Sequence, residues 1–160
     1  MDPAEQSRRV DRWFWILFVG GWTVYGGLMV STAAIEHQSP MWGLVALVCP
    51  ALLATFVAQR RRLLLNPEWP LTKTVGIHVG VGAAYAILSA LGTTGLLVGL
   101  GLETGESVGG DLRYLPVIFS FYYLLIYTIL AGFLMWTESM KLIQVTQALR
   151  TYAEHLDIQI

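Results

Sequence analysis

His78 is the residue whose type and position could most directly do chemistry. It lies in a long apolar stretch, and a neutral imidazole ring can coordinate a metal or a pigment, or act as a proton-sensitive switch. It also follows Lys73 by five residues, near the expected edge of a bilayer, where a histidine can instead hydrogen-bond a neighbouring helix or a lipid head group. We therefore take His78 as a candidate cofactor-binding residue, for a pigment or metal, with the hydrogen bond as the alternative.

The other reactive side chains do not combine into a catalytic arrangement. His37 and His155 are distant from His78 in the sequence, and there is no Ser/His/Asp or Cys/His pattern. The single cysteine, Cys49, excludes an internal disulfide and a cysteine metal cage, and its apolar surroundings indicate a small hydrophobic residue. The sequence therefore predicts a protein that is not an enzyme and that binds lipids, with no cofactor apart from the candidate pigment or metal at His78.

The composition indicates that lipid is the solvent of this protein. Hydrophobic residues make up 55% of the 160 residues and charged residues only 13%, whereas soluble domains carry about 25% charged residues. A helix that crosses a bilayer needs about 20 mostly apolar residues. Four stretches meet this requirement, at about residues 13–33, 41–58, 74–91 and 115–136, and they should be helical because unpaired backbone groups are too costly in lipid. The net charge of −1 predicts no nucleic-acid partner.

Basic residues are concentrated on one side of these four spans. Nine of the ten Lys and Arg residues lie before the first span, between the second and third, or after the fourth, and the positive-inside rule assigns that side to the cytoplasm. The other side holds Arg113 among four acidic residues. We predict an all-α integral membrane protein with both termini cytoplasmic. Residues 1–12 form an N-terminal segment, 13–136 a four-helix transmembrane domain and 137–160 a cytoplasmic amphipathic helix.

Proline and glycine residues predict where helices begin, bend and end. Ser39 and Pro40 have the types preferred at an N-cap and a first helical turn, and Pro50 should free one backbone carbonyl of the second helix and kink it. Residues 92–113 contain seven glycines and a short apolar island. A third helix that included this island would be longer than a bilayer requires. We therefore predict that the helix ends near Leu91 and that a short segment then lies at the outer interface.

The chain becomes amphipathic after Trp136. Apolar residues recur at intervals of 3, 4, 3 and 4, the a/d spacing of a coiled coil over two heptads. These residues are Leu142, Val145, Leu149, Tyr152 and Leu156. We predict that the fourth helix continues as a cytoplasmic stalk that contacts a partner. A helix that lies on the membrane, or against the loop between the second and third spans, is the alternative.

Two further groups of residues are candidates for contacts with partners. Gly76 and Gly80, extended by Ala84, have a small-xxx-small spacing that lets helices approach closely. They could dock onto another membrane protein or pack inside the four-helix bundle. A basic triplet could bind anionic lipid head groups. Its presence is explained equally well if these residues only set the orientation of the chain in the membrane. The triplet consists of Arg60, Arg61 and Arg62.

The layout resembles the membrane input region of bacterial sensor histidine kinases of the LytS/YehU/AlgZ type. The matching stretches are residues 59–62, 75–79 and 122–132, within a resemblance that covers roughly residues 13–155. The resemblance implies a bacterial inner-membrane location and a final span that runs into a signalling helix. The segment with the phosphoacceptor histidine and the ATP-binding domain of that family are absent from the sequence, and the Asn66-Pro67 pair does not replace them. No kinase residue is therefore carried over.

These features favour two functions. The first is a non-catalytic subunit that scaffolds or stabilises a larger membrane complex, such as a respiratory or photosynthetic assembly, by contacts with other integral membrane proteins and anionic lipids. The second is a sensory input module without its own kinase, whose bundle binds a signal and moves the stalk. A transporter or channel is disfavoured because the spans lack charged residues. The absence of a tag or fusion scar favours a complete gene product.

Overall fold

The fold is a bundle of helices that are long and apolar enough to cross a membrane. A computed structural model describes residues 3–36, 38–66, 68–103 and 113–159, and these residues contain helices and no β-strand. The helices are α1 (Pro3–Ile35), α2 (Pro40–Gln59), α3 (Arg61–Leu64), α4 (Leu71–Gly99) and α5 (Tyr114–Gln159). All of them except the four-residue α3 meet the length and hydropathy of a membrane span. The predicted all-α fold with four candidate spans is confirmed.

The four long helices pack in a ring, in the order α1, α2, α4 and α5, and α5 closes the ring against α1. Aromatic side chains fill much of its interior, for example where Phe14 of α1 stacks on Phe133 of α5 at a ring separation of 5.3 Å. Large apolar side chains also cover the outside, among them Leu125 and Phe121 on α5. A helix that is apolar all round is typical of a membrane span. We call the end of the bundle where α2 ends and α4 begins the basic end.

The start of α2 agrees with its sequence signals. The Ser39 hydroxyl accepts a hydrogen bond from the Met41 amide at 3.3 Å, and Pro40 occupies the first turn. This confirms the predicted N-cap. Beyond it, α2 continues through Pro50 as far as Gln59.

The end of α4 differs from the prediction. The helix does not end near Leu91 but continues to Gly99, and Leu97 from the predicted interfacial segment is fully buried. The helix ends in a Schellman motif, in which the Leu102 amide donates to the Leu97 carbonyl at 2.8 Å and the Gly101 amide to the Val98 carbonyl at 3.0 Å. Gly101 takes a positive φ of 66°, which suits glycine because it has no Cβ. Packing inside the bundle therefore carries α4 further than bilayer thickness alone requires.

The first and last helices are both longer than the spans that the sequence predicted. The predicted N-terminal segment contributes the first turns of α1, which begins at Pro3. At the other end, α5 is one uninterrupted helix of 46 residues, about 69 Å at about 1.5 Å per residue. A bilayer with its head groups is about 40–45 Å thick, so α5 is longer than a span needs. We use the word stalk for its residues 137–159.

Candidate functional site

Four charged side chains from three helices meet at the basic end. Arg61, the first residue of α3, donates from Nη2 to Asp11 Oδ1 of α1 at 2.7 Å and from Nε to Glu138 Oε1 of α5 at 3.2 Å. Lys141 Nζ, one turn along α5 from Glu138, donates to Asp11 Oδ1 at 3.1 Å. We call these four residues the charge cluster. It joins the start of α1 and the root of the stalk to the junction between α2 and α3.

Arg61 is the buried centre of this cluster, with only 8% of its side chain exposed. Its remaining donor, Nη1, bonds the Ala58 carbonyl at 3.0 Å, and its guanidinium lies over the ring of Phe14 at 4.4 Å. The Ala58 carbonyl belongs to the last turn of α2, where carbonyl groups lack helical partners. Because a buried cation is costly unless it is paired, the planar guanidinium with its several donors suits this position better than a lysine would.

The basic triplet therefore does not act as one surface. Arg60 and Arg62 are exposed at the basic end, and Arg62 Nη2 also reaches Asp11 Oδ2 at 3.4 Å. The Arg61 side chain is instead buried, and its nitrogen atoms already donate to groups of the bundle. We therefore restrict the predicted binding of anionic head groups to Arg60 and Arg62, for which it stays a prediction.

A second polar group lies in the middle of the bundle, around the proline of α2. Pro50 has no amide hydrogen, so the carbonyl four residues earlier, that of Ala46, loses its helical donor. The Tyr123 hydroxyl of α5 donates to this carbonyl at 3.0 Å. Since Tyr123 then uses its one proton, Thr93 of α4 donates to the Tyr123 oxygen, at 3.0 Å. On the same helix as Thr93, Tyr85 donates to the Pro50 carbonyl at 2.9 Å.

His78 lies inside the helix pair α4 and α5 and is nine-tenths buried. Its Nδ1 is 3.1 Å from the Tyr127 hydroxyl of α5, so the predicted hydrogen bond to a neighbouring helix is present. Its Nε2 is buried and has no hydrogen-bond partner among the described residues. Gly82 makes this arrangement possible, because a Cβ at that position would lie 2.7 Å from Tyr127 Cδ1.

The glycines that pack inside the bundle are not those that the sequence pattern singled out. A Cβ at Gly43 would lie 2.7 Å from the Met29 carbonyl oxygen, so the backbones of α1 and α2 are in close contact there. A Cβ at Gly92 would lie 2.7 Å from Cys49 Sγ, where α4 meets α2. Cys49 thus occupies the predicted role of a small packed residue.

The small-residue stripe of Gly76, Gly80 and Ala84 lies on the outside of α4. All three residues are exposed, and a Cβ at either glycine would meet nothing within 4 Å. The alternative in which the stripe packs inside the bundle is therefore not supported. Docking onto another helix stays a prediction.

The predicted a/d seam of the stalk is also largely uncovered. Leu142, Leu149, Tyr152 and Leu156 are exposed, and Val145 is half-buried. Val145 and Leu142 line a depression of about 570 Å³ between the root of the stalk and the loop before α4, which also includes Trp69. Only the start of the seam thus lies beside that loop, and Leu142 is exposed even there.

Sequence reasoning missed the charge cluster, although two signals were available. Glu138 and Lys141 are spaced i, i+3, which places them on one face of a helix. Asp11 lies between Arg9 and Arg12 just before the first span, and an acid in such a position suggests a local partner. At the opposite end of the bundle, the indole Nε1 of Trp42 donates to the buried Glu103 carboxylate at 2.6 Å, another pair that the pattern did not predict.

No group of three His, Cys, Asp or Glu side chains in the part of the chain that the structure describes could hold a metal ion. His37 lies outside the described residues, and His155 is exposed on the stalk. Comparison of this chain with protein-family models, with curated proteins and with solved structures finds no match. The resemblance to sensor-kinase input regions stays a prediction.

Proposed function

We propose that this chain is a non-catalytic integral membrane subunit that scaffolds or stabilises a larger membrane protein complex. The observation that supports this best is the outward position of the Gly76, Gly80 and Ala84 stripe on α4. In lipid there is no hydrophobic drive for helices to associate, and small residues favour association because they let backbones come close. The bundle does not use this stripe for its own packing, so a helix of another protein can.

A second surface supports the same role. The exposed apolar residues Leu149, Tyr152 and Leu156 lie on a helix that extends beyond the bundle. The charge cluster fixes the root of this helix through Glu138 and Lys141. A complex that contacts α4 within the membrane and the stalk outside it would be held at two places by one subunit.

The setting of this proposal is the bacterial inner membrane, with both termini in the cytoplasm. The clustering of basic residues in the first turns of α1, after α2 and on the stalk supports this orientation. The partners are other integral membrane proteins, and anionic lipids contact Arg60 and Arg62. The host that we propose is a respiratory or photosynthetic assembly.

The experiment that tests the proposal is native purification in mild detergent, with quantification of the proteins that comigrate. Gly80→Leu fills the stripe, and Gly132→Leu is the matched control, because Gly132 is also exposed on a long helix with nothing within 4 Å of a Cβ. We expect a stoichiometric membrane partner with the wild type and with Gly132→Leu, and loss of that partner with Gly80→Leu. A chain that purifies without any partner would contradict the scaffold role.

A sensory input module is the second candidate, and one observation favours it. The same helix, α5, forms a wall of the bundle and continues without a break into the stalk. A ligand that changes the packing of α5 could therefore be read by a cytoplasmic partner. An isolated dimer whose stalk responds to a small molecule, or a kinase encoded downstream in the same reading frame, would favour this function over the first.

A further inference from the structure

One face of α5 stays uncovered from the bundle into the stalk. The alternating 3, 4 spacing of the stalk seam continues back through the span as far as Val117. In the span, the positions of this register line an open groove of about 680 Å³ between α4 and α5, in which Phe121 is 73% exposed. The lining residues that belong to this register are Val117, Phe121, Leu124, Thr128, Ala131 and Met135.

The same register continues at the root of the stalk. The depression beside the loop before α4 is lined at its next positions by Met135, Glu138, Leu142 and Val145. Beyond the depression, the remaining positions are exposed, and they are Leu149, Tyr152 and Leu156. Every position of one heptad register from 117 to 156 thus lines a depression or is exposed. We call these positions the long seam, which extends about 59 Å at about 1.5 Å per residue.

The length and the repeat of the long seam indicate a helix as its occupant. A straight α-helix drifts by about 20° per heptad from a 3.5-residue repeat, so a repeat kept over about five heptads suits a partner helix that supercoils around α5. Such a partner must also follow the seam out of the span and along the stalk. Helix α5 of a second copy has this length and the same register.

Inside the span, the groove suits an apolar helix. Its α4 side includes the small residues Ala83 and Ala86, which let a second helix come close. The two hydroxyl groups that line it on α5 already donate within their own helix, Ser120 to the Pro116 carbonyl at 2.6 Å and Thr128 to the Leu124 carbonyl at 2.9 Å. Neither hydroxyl therefore requires a polar partner from the occupant.

The charges along the stalk allow two identical helices to meet. Copies of one chain insert in the same orientation, so their α5 helices would be parallel and equivalent positions would face each other. In coiled coils, charges at the e and g positions select or reject a partner. Arg150 and Glu154 lie at b and f, away from the seam. The e and g positions between residues 145 and 156 carry no carboxylate, lysine or arginine, and they are Thr146, Ala148, Ala153 and His155.

The charge cluster removes the remaining obstacle to this pairing. Glu138 is the one carboxylate of the long seam, and it accepts a hydrogen bond from Arg61 at 3.2 Å. Lys141, at the neighbouring g position, donates to Asp11 at 3.1 Å. Both charges are thus paired within their own copy, which limits the repulsion between equivalent residues of two copies.

We propose that two copies of this chain associate through the long seam, with their α5 helices parallel and in register. Each α5 packs along the groove of the other copy, and the two stalks form a short coiled coil. The inference rests on the proposed function in taking the stalk as a contact surface, and it assigns that surface to a second copy. The stripe of Gly76, Gly80 and Ala84 lines neither depression and remains for a different protein of the complex.

Disulfide cross-linking in native membranes tests the proposal, in a Cys49→Ser background. Leu124→Cys and Tyr152→Cys place a thiol at d positions of the span and of the stalk, where the side chains of a parallel pair are close. Ile129→Cys and Thr151→Cys are the matched controls, because these residues are also exposed but lie at b and c. We expect a covalent dimer with both seam variants and little with the controls. No dimer with a seam variant, an equal yield with its control, or a cross-link to a different protein would overturn the proposal.

Dissociation in vesicles gives an independent readout, by Förster transfer between labelled full-length copies in phosphatidylcholine at increasing dilution. Leu149→Glu places two carboxylates face to face and removes two leucine contacts, so it should raise the dissociation constant on the order of a hundredfold. Gln147→Glu adds the same charge at the f position and should leave it unchanged. Equal effects of the two substitutions, or no transfer in the wild type, would overturn the proposal.

The scaffold role and the pairing of copies can fail separately. The scaffold role depends on a different membrane protein that comigrates with the chain and is lost in Gly80→Leu. A covalent dimer without such a protein would uphold the pairing and contradict the scaffold role. A comigrating protein without a covalent dimer would do the reverse.

Discussion

Tyr123 supplies the hydrogen bond that Pro50 removes from α2. The proline leaves the Ala46 carbonyl without its helical donor, and the Tyr123 hydroxyl lies 3.0 Å from that oxygen. A helix-breaking residue in the middle of a bundle is thus compensated by a side chain of a different helix. This couples the local conformation of α2 to the position of α5.

Tyr123→Phe should destabilise the bundle by about 1–2 kcal/mol, because it leaves the Ala46 carbonyl unpaired in an apolar environment. Thermal unfolding in detergent measures the change, and Tyr152→Phe on the exposed stalk is the control. In a Pro50→Ala background the helix has its own donor for Ala46, so Tyr123→Phe should cost less. An equal cost in both backgrounds would mean that Tyr123 does not act through the proline.

Arg61→Ala should destabilise the protein by about 2 kcal/mol, since it removes the cation that Asp11 and Glu138 share and leaves Asp11 with Lys141. Arg60→Ala removes an exposed arginine beside it and should change stability by less than about 0.5 kcal/mol. Limited proteolysis of the stalk gives a second measurement, because the cluster holds its root. Similar effects of the two substitutions would show that burial of Arg61 does not matter.

Gly82→Ala should separate α4 from α5 locally, because its Cβ would lie 2.7 Å from the ring of Tyr127. We expect a loss of about 1–3 kcal/mol from overpacking and a changed environment of the His78 ring, visible by NMR of labelled histidine. Gly76→Ala, on the open face of the same helix, meets nothing within 4 Å. It should be neutral or slightly stabilising, and an equal loss at Gly76 would contradict the helix packing described above.

Gly101→Ala should destabilise the end of α4 by about 1–2 kcal/mol, because alanine is unfavourable at a positive φ. Gly99→Ala, inside the last turn, should have the opposite sign, since alanine favours helix over glycine by about 1 kcal/mol. Thermal unfolding of the two variants measures these opposite changes in stability. Equal effects would mean that the Schellman motif does not terminate the helix.

Cysteine labelling can test the prediction that the two ends of the bundle lie on opposite sides of the membrane. In a Cys49→Ser background, cysteines at positions 62 and 113 should react with an impermeant reagent from opposite sides of the membrane. The cysteine that replaces Arg62 should be protected in intact cells, and the one that replaces Arg113 should be accessible. Reaction of both from one side would contradict the predicted topology.

The sequence was sufficient for the features that depend on local chemistry. Apolar length predicted the four candidate spans, Ser39 predicted the start of α2, and Pro50 predicted a freed carbonyl. It was insufficient where one helix depends on another. The end of α4 was misplaced because the burial of Leu97 and the bond from Thr93 to Tyr123 arise only from packing, although the glycine at 101 was a usable stop signal.

The same limit explains the candidate sites. Spacing alone placed Gly76, Gly80 and Ala84 on one face, but it could not say whether that face lies inside or outside the bundle. The three consecutive arginines are identical in type, so the sequence does not distinguish them. In the structure they follow the end of α2 at Gln59, and there Arg61 is buried while Arg62 is exposed. Pairing across α1, α3 and α5 cannot be read from charges that are as much as 130 positions apart.

The unbroken length of α5 makes its stalk a lever. From residue 137 to residue 159 it extends about 34 Å at about 1.5 Å per residue, and Glu138 and Lys141 sit at its fulcrum. A tilt of about 10° there would sweep the tip through about 6 Å, by the same helical rise. Since Tyr127 lies about 19 Å on the other side of the fulcrum, a displacement of about 1 Å beside it would move the tip by about 2 Å, by the same helical rise.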